Sequence, residues 1–190
     1  MQDQFSKEAA KSLSSGIEHF EEFLDANYSD SSEIAKVNHF VSDLYDHIYF
    51  SKVLPDWTID LVQTHTIDTI IENSGLRKEI RVYGFEKENG KAHDSLLYFN
   101  WIGDYYNALR AVSLNNDPII KYTKDLENSG GFSFIMAARI LKESNCYNLQ
   151  DAHLLKRIVF AELYIDLIKW HGAQMVNPAI TLPEIARLRS

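Results

Sequence analysis

Apolar side chains recur every three or four residues along most of this chain, and that spacing predicts helices. Phe5, Ala9, Leu13, Ile17, Phe20 and Leu24 mark one over residues 5–24. The polar stretch Asn27-Tyr28-Ser29-Asp30-Ser31-Ser32 reads as a turn, and one of its serines is a natural N-cap for the next helix. That second helix carries Ile34, Val37, Val41, Leu44 and Ile48 on one face. Pro55, tolerated in a first helical turn, opens a third with Ile59, Val62, Ile67, Ile70 and Ile71, and Gly75 ends it in a left-handed conformation.

Residues 76–92 commit to no period. Asn89-Gly90 favours a short β-hairpin over about 79–99. The helical rhythm of Leu97, Trp101, Tyr105, Leu109 and Val112 favours instead a loop leading into a helix from Asp94, and this is the preferred expectation. Pro118 begins a short helix that ends near Asn128, and Ser129-Gly130-Gly131 breaks the chain before another over 132–143. Residues 149–171 are apolar on more than one face, which predicts a central helix buried on several sides. After the loop at Asn177-Pro178, Thr181 can cap a last short helix. The expected fold is all-α: an irregular bundle of seven to eight helices in a single domain over 1–190.

Composition narrows the class. The 190 residues are 45% hydrophobic, sufficient for a sizeable core, and no apolar run approaches the ~18 residues of a membrane span. The start Met1-Gln2-Asp3-Gln4 lacks a secretory pattern, and Cys146 is the one cysteine, so a cytoplasmic location is expected. Cys146 lies in a turn with no activating neighbour evident in the sequence. Residues 1–50 hold ten acidic side chains and three basic ones, nearly all of the net charge of −8. A negative field repels phosphate backbones and attracts basic surfaces. Neither nucleic acid nor membrane is therefore an expected partner. Lys156-Arg157 and the Arg187/Arg189 pair are too small to make a nucleic-acid stripe.

Most catalytic signatures are missing. Gly130-Gly131 lacks the Lys-Ser/Thr of a phosphate loop. No His-Glu-x-x-His helix, Gly-x-Ser-x-Gly elbow or Arg-x4–6-His ribonuclease pattern occurs. The acidic first quarter is incompatible with the basic helix-turn-helix of a TetR-like repressor. No cofactor is expected, and the balance leans away from an enzyme.

Three constellations carry candidate chemistry. His39, Asp43 and His47 lie at i, i+4 and i+8, one stripe of the second helix, where they could contribute to a divalent metal site. Glu18, His19 and Glu22 would add ligands if the first two helices pack antiparallel, whereas the competing expectation is a polar flank in water. His93-Asp94 has the dyad of HD-type phosphohydrolases but follows a polar turn, so Asp94 is better read as an N-cap. Tyr98, Phe99, Trp101, Tyr105 and Tyr106 form an aromatic cluster, with Trp101, Tyr105 and Tyr106 as candidate ligand-binding residues and core packing as the favoured role.

The leading functional expectation is a non-enzymatic protein-protein interaction module, such as an acidic inhibitor or immunity-type protein. Glu18, Glu21, Glu22, Asp25, Asp30 and Glu33 would face a basic partner, for instance a toxin. One alternative is a helical enzyme or sensor holding a metal or small ligand between helices. Another is a structural subunit that docks through Ile180, Leu182, Ile185 and Leu188.

Overall fold

The computed structural model describes residues 5–28, 32–50, 56–84, 87–88, 91–92, 96–113, 117–131, 134–143 and 151–169. Cys146, Asp30, the Asn89-Gly90 turn, the His93-Asp94 dyad and the tail from Trp170 onward lie outside them. Capping side chains define several of the starts. Ser6 Oγ accepts from the Ala9 N–H at 3.2 Å and opens α1 (Lys7–Asn27). Ser32 Oγ accepts from the Ala35 N–H at 3.3 Å ahead of α2 (Glu33–Phe50), so a turn serine supplies the expected cap. The third helix, α3 (Leu61–Asn73), starts later than the Pro55 reading placed it. Asp60 is its cap, accepting from the Val62 and Gln63 N–H groups at 3.0 Å, and a carboxylate there also favours the positive helix end. Gly75 ends the helix with φ +75°, as expected, and a five-residue helix, α4 (Leu76–Ile80), follows at once.

Two short antiparallel ladders come next. β1 (Arg81–Gly84) pairs with β4 (Leu96–Phe99) in the register Arg81 to Phe99, and β2 (Lys87–Glu88) pairs with β3 (Lys91–Ala92). The helix expected from Asp94 does not form, because its first turns are the extended strand β4. The backbone reverses at Asn100, whose side chain donates to the Lys78 carbonyl oxygen at 2.6 Å and accepts from the Ile102 N–H at 3.2 Å. Helix α5 (Asp104–Ser113) begins only there, capped from outside: the Glu79 carboxylate accepts from the Asp104 N–H at 2.9 Å. Gly103 permits this approach, since a Cβ would lie 2.1 Å from the Glu79 carbonyl oxygen.

Helices α6 (Asp117–Asn128), α7 (Phe134–Glu143) and α8 (Ala152–Val159) complete eight α-helices among the described residues. Gly130 and Gly131, at φ +74° and +104°, make the expected break between α6 and α7. From α8 the chain continues through a π-helical turn, Phe160–Tyr164, to residue 169. The Ile165 N–H donates to the Phe160 carbonyl oxygen five residues back, the bond that defines such a turn. This composite is the predicted central helix. α1, α2 and α7 pack around it, and α3 and α4 lie against α1. All five residues of the π turn are buried. The fold is all-α in class, as its periodicity indicated, and none of its described helices is long and apolar enough to cross a membrane.

The contact between α1 and the central helix is close. Gly16 sits over the Phe160 ring, and a Cβ there would come within 2.3 Å of Cζ. Phe160 has zero exposure, and close packing of a protein interior resists displacement of its ring. Gly16→Ala is expected to destabilise the fold by about 1–3 kcal/mol, measured by urea unfolding. Adding Phe160→Leu should restore part of the loss. Additive losses in the double variant would show that the ring is not the obstacle.

Candidate functional site

The six acids proposed to face a partner are not equivalent in the fold. Lys156, on the central helix and only 3% exposed, reaches outward to pair with Glu21 and, at 3.3 Å, with Glu33. Burial disfavours its ammonium, but Glu21 and Glu33 together hold its pKa above the ordinary lysine value. These two carboxylates are thus engaged with the protein's own core cation. Asp25 pairs with Lys36 at 2.5 Å but is largely exposed, so the pair is weak and screened. Asp30 lies outside the described residues.

Glu18 and Glu22 differ. Both are exposed on α1, and neither forms an ion pair among the described residues. The same holds for Asp56 and Asp60 on the segment entering α3. The two strands of backbone run alongside each other. Gln63 Nε2 donates to Glu22 at 2.7 Å, the Thr58 N–H donates to Asn27 Oδ1 at 2.7 Å, and the Phe23 and Trp57 rings meet edge to face at 5.4 Å. The result is a carboxylate edge that the sequence, read one helix at a time, does not show: Asp60 joins Glu18 and Glu22 only through tertiary packing.

Asp43, the middle residue of the His39, Asp43 and His47 stripe, is engaged in a hydrogen-bond chain. Asp43 Oδ2 accepts from the Tyr28 hydroxyl at 2.7 Å, and that hydroxyl accepts from the Trp57 indole N–H at 3.0 Å. Burial, followed by the Asp43 carboxylate, raises the Tyr28 pKa above the ordinary tyrosine value, so the donor stays protonated. His39 is exposed, with its ring 5.9 Å from that of Tyr28. His19 meets α3, with Nε2 3.2 Å from Thr64 Oγ1. Among the described residues no three His, Cys, Asp or Glu side chains converge.

The aromatic cluster is core and rim. Tyr105 and Tyr106 are buried, and Trp101 packs edge to face on Phe99 at 4.9 Å and on Tyr106 at 5.0 Å. The Tyr106 hydroxyl donates to Glu127 at 2.6 Å, which ties α5 to α6. These rings pack between elements.

Two buried cations were not anticipated. Arg81, at the start of β1, pairs with Glu162 of the π turn at 2.8 Å, and the two side chains are 2% and 0% exposed. Arg81 also lies 5.6 Å above the Phe99 ring. Burial opposes its charge, yet Glu162 and then Asp166 hold the guanidinium pKa above its ordinary value. Arg77 in α4 reaches Asp68 at 2.7 Å, Glu72 at 2.7 Å, Asp166 at 3.3 Å and the Ile165 carbonyl oxygen at 3.0 Å. A signal for the first pair was present: Glu162 is a lone acid inside the apolar run Ile158 to Ile165, and a carboxylate there requires a cation. Its partner could not be read, since Arg81 is 81 residues away.

Comparison of the chain with protein-family models, with curated proteins and with solved structures finds no match.

Proposed function

We propose that this protein is a non-catalytic binding protein whose α1/α3 carboxylate edge docks a basic surface on another protein, in the manner of an acidic inhibitor. The observation that supports this reading is the exposed set Glu18, Glu22 and Asp60, which has no internal cation among the described residues, next to acids that do. Charges compensated by Lys156 serve the fold. Uncompensated ones project a field that accelerates encounter with a cationic partner and favours its orientation. The −7 balance of residues 1–50 adds a long-range contribution of the same sign.

The test is native mass spectrometry of the chain isolated from its own cells at low ionic strength. A protein bound in fixed ratio should dissociate as salt rises through the range where the Debye length falls below about 8 Å. Glu18→Lys/Glu22→Lys should lower its recovery at least tenfold without shifting Tm, while Lys121→Glu/Lys124→Glu on α6 should not. Isolation with only a metal or small-molecule mass, or a complex indifferent to the α1 reversal, would overturn the reading.

A further inference from the structure

His19 lies on the inward side of α1, 6% exposed, where α3 and the π turn close over it. Its tautomer follows from its hydrogen bond with Thr64. The Thr64 hydroxyl donates its single proton to the Asp60 carbonyl oxygen at 2.7 Å. Thr64 Oγ1 can therefore only accept from His19, so the imidazole proton sits on Nε2. Nδ1 is then a bare lone pair, buried and without a hydrogen-bond partner among the described residues. A second proton can go only there. It would create a buried cation with an unmet N–H at the α1/α3 contact.

The surrounding charged groups are already engaged or remote. Glu22, on the same helix, accepts from Gln63. The Asp60 carboxylate is occupied in capping α3. Farther along α3, Asp68 is held by Arg77. From the central helix, Tyr164 brings a ring centroid to 6.0 Å, with a phenol that burial keeps neutral, and Glu162 is bound to Arg81. Burial lowers the His19 pKa below 6.5, while Glu22 and then Asp60 act in the opposite direction.

We infer that His19 is a proton-operated latch: its neutral form holds α3 and the segment 56–60 against α1, and its protonated form releases them. The sign follows from linkage. The folded state binds the proton less readily than the unfolded state, so the latch is closed above pH ~6.5 and opens as pH falls below it. Opening starts at the α1/α3 contact, while the far end of α3 stays tied to the central helix through Arg77 and the Glu72–Lys169 pair.

Hydrogen exchange of the full chain at pH 7.5 and pH 5.0, corrected for intrinsic rates, tests this without any partner. Amides of 61–73 should lose at least tenfold of their protection relative to those of 152–169 on acidification. His19→Gln, which can still donate to Thr64 but cannot gain a proton, should abolish that difference. Equal loss in both proteins, or no loss in the wild type, overturns the latch. Should the variant fail to fold, nitrogen NMR of the wild-type imidazole decides: Nε2–H at pH 7.5 with protonation displaced below 6.5 supports it, and Nδ1–H or an undisplaced titration overturns it.

Discussion

Glu162→Leu, with Arg81 left in place, should destabilise the protein by about 3–5 kcal/mol, because it strands a guanidinium in the core. In a chain of this length that corresponds to a fall in Tm on the order of 10 °C. Arg81→Met should cost a similar amount, leaving the fully buried Glu162 carboxylate without its cation. The informative variant is the double one. Arg81→Met/Glu162→Leu removes both charges, and well-packed apolar replacements of a buried pair are often neutral or stabilising. Most of the single-variant loss should therefore be regained in urea unfolding. If the double variant is as unstable as either single one, the pair is not the source of the loss. The cause would then be packing around the π turn, where Phe160, Leu163 and Tyr164 are also buried.

Arg77→Met is expected to lower stability by about 3 kcal/mol. The guanidinium connects three segments: Asp68 and Glu72 on α3, its own α4, and Asp166 with the Ile165 carbonyl on the central helix. Methionine retains the apolar stem and removes the donors, so the loss reports the polar contacts rather than a cavity. The effect is smaller than at Arg81 because Asp68, Glu72 and Asp166 are partly exposed and can turn to water. Asp68→Asn should cost less, since two other carboxylates remain on the same cation. Chemical denaturation separates the two, and equal losses would mean that Asp68 alone holds Arg77.

How far the site was legible varies with the distance over which each residue acts. The stripe Glu18, Glu22 and Asp25 follows from helical spacing alone. That Glu21 and Glu33 are taken by Lys156 does not, since Lys156 is 135 residues from Glu21. Likewise Asp60 reaches the edge beside Glu22 only because α3 folds back along α1. The metal stripe His39, Asp43 and His47 satisfies local spacing, but Asp43 serves a hydrogen-bond chain through Tyr28 and Trp57.

The sequence by itself determined the all-α class, the central helix and several caps and breaks, because periodicity, capping oxygens and left-handed glycines act within a few residues. It also determined the sign and location of the excess charge. Tertiary structure decided the rest. Residues 96–99 followed a helical rhythm yet became a strand, because β1 offers their backbone a pairing partner and Glu79 caps the helix only from Asp104 onward. It likewise decided which cation meets which carboxylate, and placed His19 with one ring nitrogen satisfied and the other bare. Such pairings depend on which segments pack together, and a local pattern contains no information about a neighbour eighty residues away.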